Sequence, residues 1–319
     1  MNSQKHVVVI GGTGHLGTYL VPRLVEAGFK VTNVSRQKRE AYLPNKAWQS
    51  VTQVGIDRTE AEEAGTFGTQ IAELKPDIVI DMICFTLDSC QQLVGALRGK
   101  VSHFLHCGTI WIHGHSTVTP ATEDLPRQPF GEYGIQKSAI ESYLMTEARQ
   151  HGFPATAVHP GHIVGTGHLP INPVGHRRLD VFEKLARGEE VVLPNFGLET
   201  VHHVHADDVA QVFMQAIFNW SQSVGESFHA VSSGALTLRG YAEAMAKWFG
   251  QEANLKFADW ETFKANDPDS DATWDHIAHS PNASIEKARR LINYAPRYTS
   301  IQAIIECVEW LIESGEIKI

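Results

Sequence analysis

The sequence predicts an α/β protein built on a doubly wound parallel sheet. Short apolar runs alternate with helical segments along the first half of the chain, which is the pattern of strands joined by right-handed helical crossovers. One of these runs, residues 78–83, is apolar almost without interruption, as in strands that are covered on both faces. With 319 residues, of which 43% are hydrophobic, the chain can bury a large core.

The elements are predicted in order from apolar runs and helical spacing. Predicted strands cover residues 7–10, 30–34, 51–54, 78–83, 101–107 and 190–193. Predicted helices cover residues 18–28, a segment closing at 71–74, and residues 93–97, 133–145, 182–187, 284–289 and 301–312. We also predict that Asp207 is the N-cap of a helix, and that residues 259–275 form a mobile flap or a loop.

A glycine-rich turn follows the first strand. Residues 11–17 read Gly-Gly-Thr-Gly-His-Leu-Gly and lead directly into a helix, which is the context in which such a turn binds a dinucleotide diphosphate on free amides. The sequence therefore predicts a Rossmann domain. The expected cofactor-binding residues of this turn are Gly11, Thr13, Gly14, His15, Leu16 and Gly17.

The end of the second strand bears on the choice of cofactor. Ser35 and Arg36 stand where an acidic residue usually holds the adenine ribose, and a guanidinium matches a 2′-phosphate well. This favours NADP over NAD, although a solvated basic loop is the alternative. Asp57 is a candidate to bind the adenine amine, and a turn or helix cap is equally consistent with its position.

A reaction centre is predicted after the strand that begins at residue 101. Thr109 follows the carboxyl end of that strand, where ligands bind in open α/β sheets. Tyr133 and Lys137 lie one turn apart on a helix, so that the ammonium can favour the phenolate. Thr109 would then hold a substrate oxygen while Tyr133 moves its proton.

Together these motifs resemble the extended short-chain dehydrogenase/reductase superfamily, in particular its NAD-dependent epimerase/dehydratase family. The segments that carry the resemblance are residues 11–17, Tyr133 with Lys137, and residues 122–126, 159–165 and 201–210. The resemblance implies that Thr109, Tyr133 and Lys137 are the catalytic residues and that Lys137 also binds the nicotinamide ribose. It further implies that Met82, Ile83 and Pro160 lie near the nicotinamide.

The resemblance also implies a function and an organisation. We expect an enzyme, either an epimerase or an oxidoreductase, that transfers a hydride at a carbinol or carbonyl carbon of a sugar-like substrate, with a nucleotide-linked sugar the favoured form. Residues 1–165 would form the NAD(P)-binding domain, to which later segments return, and residues 166–319 mainly a substrate-binding lobe. A homodimer through the Tyr-x-x-x-Lys helix is expected.

Two departures from the family limit the reaction and the substrate. Sugar dehydratases have Asp-Glu after the catalytic hydroxyl, whereas Ile110 and Trp111 follow Thr109 and cannot remove water. Many nucleotide-sugar members have Arg and Asn where this chain has His159 and His162, so the usual contact to a diphosphate sugar is less secure.

The second half of the chain is rich in histidine. Among 17 histidines, His113, His162 and His176 are predicted to line the substrate cleft. These imidazoles would bind an anionic substrate and would titrate near neutral pH. Trp111 is a candidate for the cleft wall, with a core position as the alternative. His203 and His205 could begin a zinc site, but the pattern offers no third ligand, and we predict no metal.

Composition restricts the partners. The formal net charge of −9 argues against nucleic acid and anionic membranes, and the partner we expect is a small-molecule substrate. No run reaches membrane-spanning length, the four cysteines show no metal spacing, and no signal peptide is expected, so a cytoplasmic location is predicted. Two alternatives to the sugar enzyme remain: an NADPH-dependent reductase of a non-sugar carbonyl compound, and a non-catalytic nucleotide-sensing or RNA-associated member of the superfamily.

Overall fold

The computed structural model describes residues 4–319 and contains a seven-stranded parallel sheet. The strands of this sheet are β1 (His6–Ile10), β2 (Lys30–Ser35), β3 (Thr52–Gly55), β4 (Ile78–Asp81), β5 (His103–Cys107), β6 (Ala155–Pro160) and β11 (Ser227–Ala230). Their order across the sheet is β11-β6-β5-β4-β1-β2-β3. The order of connection reverses between β1 and β4, which is where ligands bind in open α/β sheets. The predicted doubly wound fold is confirmed.

The helices cover both faces of the sheet and build the C-terminal part of the molecule. They are α1 (His15–Glu26), α2 (Arg58–Glu63), α3 (Phe67–Glu73), α4 (Leu87–Leu97), α5 (Gly131–His151), α6 (Asp180–Arg187), α7 (Ala206–Phe218), α8 (Trp220–Ser223), α9 (Leu238–Trp248), α10 (Trp260–Asn266), α11 (Ser270–His279), α12 (Glu286–Ile292) and α13 (Ser300–Glu313). Within residues 4–319, no helix is long and apolar enough to cross a membrane.

Side chains of β1 show why the sheet is buried on both faces. Val7 and Val9 pack into the cluster formed with α1, α7 and α12, whereas Val8 and Ile10 pack into the cluster formed with α3, α4 and α5. Successive residues of a strand point to opposite faces, so an uninterrupted apolar run is what this position requires.

Three small sheets accompany the main one. They are the parallel pair β7 (His162–Val164) with β10 (His203–His205), the antiparallel pair β9 (Thr200–Val201) with β12 (Leu236–Thr237), and the parallel pair β8 (Val191–Pro194) with β13 (Leu255–Ala258). A separate apolar cluster, which includes Phe182, Tyr241 and Leu311, lies under this part of the chain.

Two local predictions were wrong. Residues 259–275 are neither a flap nor a loop, because α10 and most of α11 occupy them. Asp207 is not the N-cap of α7. The extended residue His205 caps that helix by accepting the Asp207 amide proton at its ring nitrogen. The Asp207 carboxylate is used instead in a 2.6 Å bond from Arg23.

Candidate active site

The turn between β1 and α1 has the geometry of an anion-binding site. Gly11 adopts φ +90°, which favours glycine. The first amides of α1 receive no side-chain cap from Gly14, and no acidic residue lies in the first turn. Unpaired amides at the positive end of a helix fit the diphosphate of a dinucleotide.

Gly17 provides the sharpest steric requirement of this turn. A Cβ atom at Gly17 would lie 2.0 Å from the carbonyl oxygen of Gly12, and backbone cannot move aside as a flexible side chain can. The position therefore accepts only glycine while the turn keeps its shape.

We expect Gly17→Ala to destabilise the protein by about 3 kcal/mol or more, as other severe local clashes do. Gly95→Ala is the matched control, because Gly95 is a helical glycine in α4 with open space around its Cβ position. It should raise stability by about 0.5–1 kcal/mol. Urea unfolding of both variants measures the difference, and equal stability of the two would contradict the steric argument.

The side chain of Asn33 hydrogen-bonds to the backbone of the glycine turn. The sequence analysis did not identify this residue. Its side-chain oxygen accepts the Gly12 amide proton at 2.8 Å, and its amide nitrogen donates to Gln53 at 2.7 Å. The side chain is fully buried. A polar residue inside an apolar strand is the only signal that could have pointed to it.

A cavity of about 710 Å³ opens beside the turn. Seven predicted cofactor contacts line it: Gly11, Thr13, Gly14, Ser35, Arg36, Asp57 and Ile83. Asp57 also caps α2 by accepting the Thr59 amide proton at 3.1 Å. A helix cap is the alternative that the sequence analysis gave for this residue. Lys38 and Arg39 join the same wall.

The remaining predicted cofactor contacts do not line this cavity. Leu16 is buried in the first turn of α1, and His15, beside it, stacks on Tyr42 with 4.4 Å between ring centroids. Met82 donates its amide proton to Ile10 immediately beyond β4, at 3.1 Å. Pro160 is the last residue of β6.

A buried ion pair supports the cavity wall and was also missed. Arg58 donates to both carboxylate oxygens of Asp81, at 2.8 and 3.0 Å, and to Glu62 at 2.7 Å. Burial lowers the pKa of Arg58, but Asp81, Cys84 and Glu62 together outweigh it, so the net shift is upward. Asp81 ends β4, directly before Met82 and Ile83, and it holds the Ile83 amide at 3.2 Å.

Thr109 lies beyond the end of β5, as predicted. It caps a short 3₁₀ helix, Ile110–His113, by accepting the Trp111 amide proton at 3.3 Å. The hydroxyl proton of Thr109 stays available for another acceptor, since the oxygen is the accepting atom in this bond.

Tyr133 begins the long helix α5 and keeps 42% of its surface exposed. Burial raises the pKa of Tyr133 to about 12, with a smaller opposing effect from the nearby Thr109 side chain. The phenol is therefore protonated at neutral pH, which is the state of a proton donor.

Lys137 is almost fully buried one turn further along α5. Its ammonium donates to the carbonyl oxygens of Cys84 and Cys107, each at 2.7 Å, and lies 5.8 Å from the ring centroid of Tyr133. Burial lowers the pKa of Lys137, with nearby thiols opposing the shift. Lys137 thus joins the ends of two central strands to the helix that carries Tyr133.

Trp111 stands between Tyr133 and the predicted histidines. Its ring lies 6.0 Å from Tyr133, 6.2 Å from His162 and 5.5 Å from His276, and it stacks on His279 at 4.1 Å. The structure therefore brings Trp111 and His162 together beside Tyr133. His276 and His279 come from the C-terminal end of α11, just beyond the segment 259–275 that was predicted to be a flap or a loop.

His113 and His176 have partners of their own. The Nε2 atom of His113 lies 2.8 Å from Nε2 of His229, and Nδ1 of His176 lies 2.8 Å from the side-chain amide of Asn172. Burial lowers the pKa of His113 to about 3 and lowers the pKa of His162 and His176. The expectation that these imidazoles titrate near neutral pH was wrong. Among residues 4–319, no three potential ligand side chains are arranged to hold a metal ion.

Comparison with known proteins identifies the family. The sequence model of the NAD dependent epimerase/dehydratase family matches residues 7–92 and 87–229. The chain belongs to this family. Members of the family bind NAD(P), and relatives of this chain are reductases, epimerases and dehydratases, so the protein is an enzyme of the extended short-chain dehydrogenase/reductase type.

Two relatives and one solved structure illustrate the range of this epimerase/dehydratase family. The 2′-dehydrokanamycin reductase of Streptomyces kanamyceticus is 26% identical, over 98% of this chain and 86% of its own. A UDP-glucose 4-epimerase of Corynebacterium glutamicum is 22% identical, over 94% of this chain and 93% of its own. The dTDP-glucose 4,6-dehydratase of Bacillus anthracis, solved with NAD, has 15% identity and a TM-score of 0.74, over 98% of each chain, and shows the shared fold.

Proposed function

We propose that the protein transfers a hydride at a carbinol or carbonyl carbon of a sugar-like substrate, with Tyr133 as the acid and base. The observation that supports this proposal is the buried ammonium of Lys137, which lies 5.8 Å from the ring centroid of Tyr133 and donates to the carbonyl oxygen of Cys107, two residues before Thr109. A nicotinamide cofactor, when bound, supplies or accepts the hydride. The residues of this chain orient the oxygen and move its proton.

The three side chains divide this work. Thr109 donates its free hydroxyl proton to the substrate oxygen, which fixes the carbon relative to the glycine turn. Tyr133 gives its proton to that oxygen during reduction and takes it back during oxidation. Lys137 stabilises the phenolate that remains, because an ammonium near the ring favours the charged form.

We propose reduction with NADPH as the principal direction. Ser35, Arg36 and Lys38 line the cavity beside the turn, in the region expected to hold the adenine ribose, and together with Arg39 they give this wall a positive charge that suits a 2′-phosphate. The 26% identical relative is itself a reductase. Epimerisation of a nucleotide-linked sugar is the second candidate, and the UDP-glucose 4-epimerase relative supports it.

Arg36→Ala tests the cofactor preference. We expect the Kd for NADPH to rise by about 10- to 100-fold, since a charge-assisted hydrogen bond contributes about 1.5–3 kcal/mol, and the Kd for NADH to stay within twofold. Arg290→Ala, which removes an exposed arginine from α12, is the matched control. Fluorescence titration measures the six constants, which are the Kd values of the wild type and the two variants for each cofactor. Equal affinities for the two cofactors, unchanged by Arg36→Ala, would refute the 2′-phosphate assignment.

Two assays separate the candidate reactions. The wild-type protein is incubated with NADPH and 2′-dehydrokanamycin, and separately with UDP-glucose and no added cofactor. Mass spectrometry of denatured protein then shows whether a nucleotide was retained. Turnover of the ketone with an empty purified protein supports the reductase, whereas stoichiometric NAD with interconversion of the UDP-sugar supports the epimerase. A homodimer through α5 and a cytoplasmic location remain predictions.

A further inference from the structure

A third functional group follows Tyr133 and Lys137 along the same face of α5. Glu141 is four residues beyond Lys137, so the three side chains lie in one row, one turn apart. Its carboxylate receives two bonds from Arg127, each of 2.7 Å, and it is buried. The ion pair with Arg127 and the neighbouring His159 outweigh burial and lower the pKa of Glu141.

The fully buried His159 joins Glu141 to the reaction centre. Its Nε2 atom lies 3.1 Å from the Glu141 carboxylate, and its Nδ1 atom accepts the backbone amide proton of Thr109 at 3.2 Å. A ring nitrogen that accepts a hydrogen bond is itself unprotonated, so the hydrogen bond to Nδ1 assigns the ring proton to Nε2. The carboxylate of Glu141 stabilises this tautomer, because only a protonated Nε2 can donate to it.

The backbone around Thr109 is shaped to receive this imidazole. A Cβ atom at Gly108 would lie 2.3 Å from Nδ1 of His159, so a side chain there would push the ring away. Gly108 also donates its amide proton to Val158 at 2.7 Å, and Cys107 accepts from Lys137. Hydrogen bonds therefore fix the backbone of three consecutive residues, Cys107, Gly108 and Thr109. The partner of the Thr109 amide is His159.

We propose that Arg127, Glu141 and His159 form a positioning relay that sets the location of the Thr109 hydroxyl relative to Tyr133. The proposal rests on the proposed function of Thr109. None of the three relay residues touches the reacting atoms. They act through the Thr109 amide, because its hydrogen bond fixes the backbone from which the hydroxyl projects.

A positioning role and a purely structural role predict different kinetics. If the relay acts through Thr109, its loss impairs the reaction only when the Thr109 hydroxyl is present. A relay that served stability alone would affect variants with and without that hydroxyl by the same factor. A double-mutant cycle between His159 and Thr109 therefore separates the two roles.

The test uses the full-length protein with NADPH and 2′-dehydrokanamycin, or UDP-glucose if that is the substrate turned over. His159→Phe keeps a ring but removes both nitrogen contacts, and we expect kcat to fall by about 10- to 100-fold with KM within about threefold. His159→Asn restores an acceptor close to the Nδ1 position and should recover most of kcat. In a Thr109→Ala background, His159→Phe should change kcat by no more than about twofold.

His103→Phe is the matched control, because His103 is a buried histidine at the other end of β5 that bonds Thr156 instead. It should leave kcat within about twofold. If His159→Phe fails to fold, Glu141→Gln changes the relay residue that contacts His159. It then replaces His159→Phe in the double-mutant cycle with Thr109→Ala. Exchange of the Thr109 amide proton, measured by NMR, should accelerate in His159→Phe and in Glu141→Gln and should not accelerate in His103→Phe.

Two results would overturn the relay. One is an equal fall in kcat with and without the Thr109 hydroxyl, and the other is an unchanged kcat and unchanged Thr109 exchange in His159→Phe. Either result leaves the proposed function intact if Tyr133→Phe is inactive. Full activity of Tyr133→Phe would instead refute the proposed function itself.

Discussion

Tyr133→Phe is expected to lower kcat for carbonyl reduction by about 100- to 10,000-fold, the range that general acid–base groups contribute. The substitution removes one oxygen and keeps the ring that packs against Trp111 at 6.0 Å. Cofactor affinity should therefore stay within about twofold. Steady-state kinetics and a fluorescence titration measure the two effects on the same protein.

Tyr143→Phe provides the control on the same helix. Tyr143 lies in α5, is partly buried, and stands near Arg98 and Glu147 rather than Thr109. Its loss should leave kcat within about twofold. Comparable losses in both variants would show that a general disturbance of α5, and not proton transfer at Tyr133, limits the rate.

The raised pKa of Tyr133 also predicts a pH profile. The proton donor for reduction is the phenol, which is present below its pKa of about 12 and lost as pH rises towards it. The positive charge of an oxidised nicotinamide would lower this value, but reduction begins from the uncharged reduced form. We expect kcat for reduction to be flat between about pH 6.5 and 9 and kcat for oxidation to rise over that range.

Acid should unfold this protein well above the pH at which carboxylates titrate. Five fully buried histidines have a lowered pKa: His103 and His203 at about 3, His202 at about 4, and His106 and His229 well below the usual 6.5. Desolvation by burial is the largest cause in each case. Below pH 6.5 the unfolded chain binds protons that the folded chain excludes.

The sign and size follow from proton linkage. Stability from these groups is complete above the unfolded pKa of 6.5 and is lost as pH falls below it. For each of these histidines, the free energy of unfolding falls by about 1.4 kcal/mol for every pH unit below 6.5, so the five together lower it by about 7 kcal/mol per unit. Against a typical stability of about 5–15 kcal/mol, unfolding is expected between about pH 4.4 and 5.8. Circular dichroism melts between pH 7.5 and 4.5 measure the decline in Tm.

Two variants sharpen the acid prediction. His106→Leu removes a buried imidazole that has no hydrogen-bond partner among residues 4–319, and it should lower the pH dependence of unfolding by about 1.4 kcal/mol per unit. His151→Gln, at an exposed position, should leave that dependence unchanged. A Tm that stays constant from pH 7 to 5 would contradict the mechanism.

Local patterns predicted the fold and the main candidate site residues because their physics is local. Tyr133 and Lys137 share a helix face through a spacing of four, and Gly17 packs on Gly12 within one turn. Contacts between distant segments left no such signal. Asn33 reaches back 21 residues to Gly12, and Arg58 reaches 23 residues to Asp81.

Histidine chemistry was the part most easily misjudged. Sequence counting treats an imidazole as a group that titrates near neutral pH, but the shift depends on burial, which only the folded chain determines. His162 and His113 are pushed far from the ordinary value for this reason. The error at Asp207 is similar, since His205 could be recognised as the cap only once its extended backbone was known.

The edge strand β11 has a consequence for how the chain is made. It pairs with β6 to complete the main sheet, yet 66 residues lie between Pro160 and Ser227. At a synthesis rate of about 5–20 residues per second, the nascent chain waits roughly 3 to 13 s with the apolar edge of β6 unpaired. During that interval a ribosome-bound chain offers a template for wrong pairing, so coexpressed chaperones should improve the soluble yield.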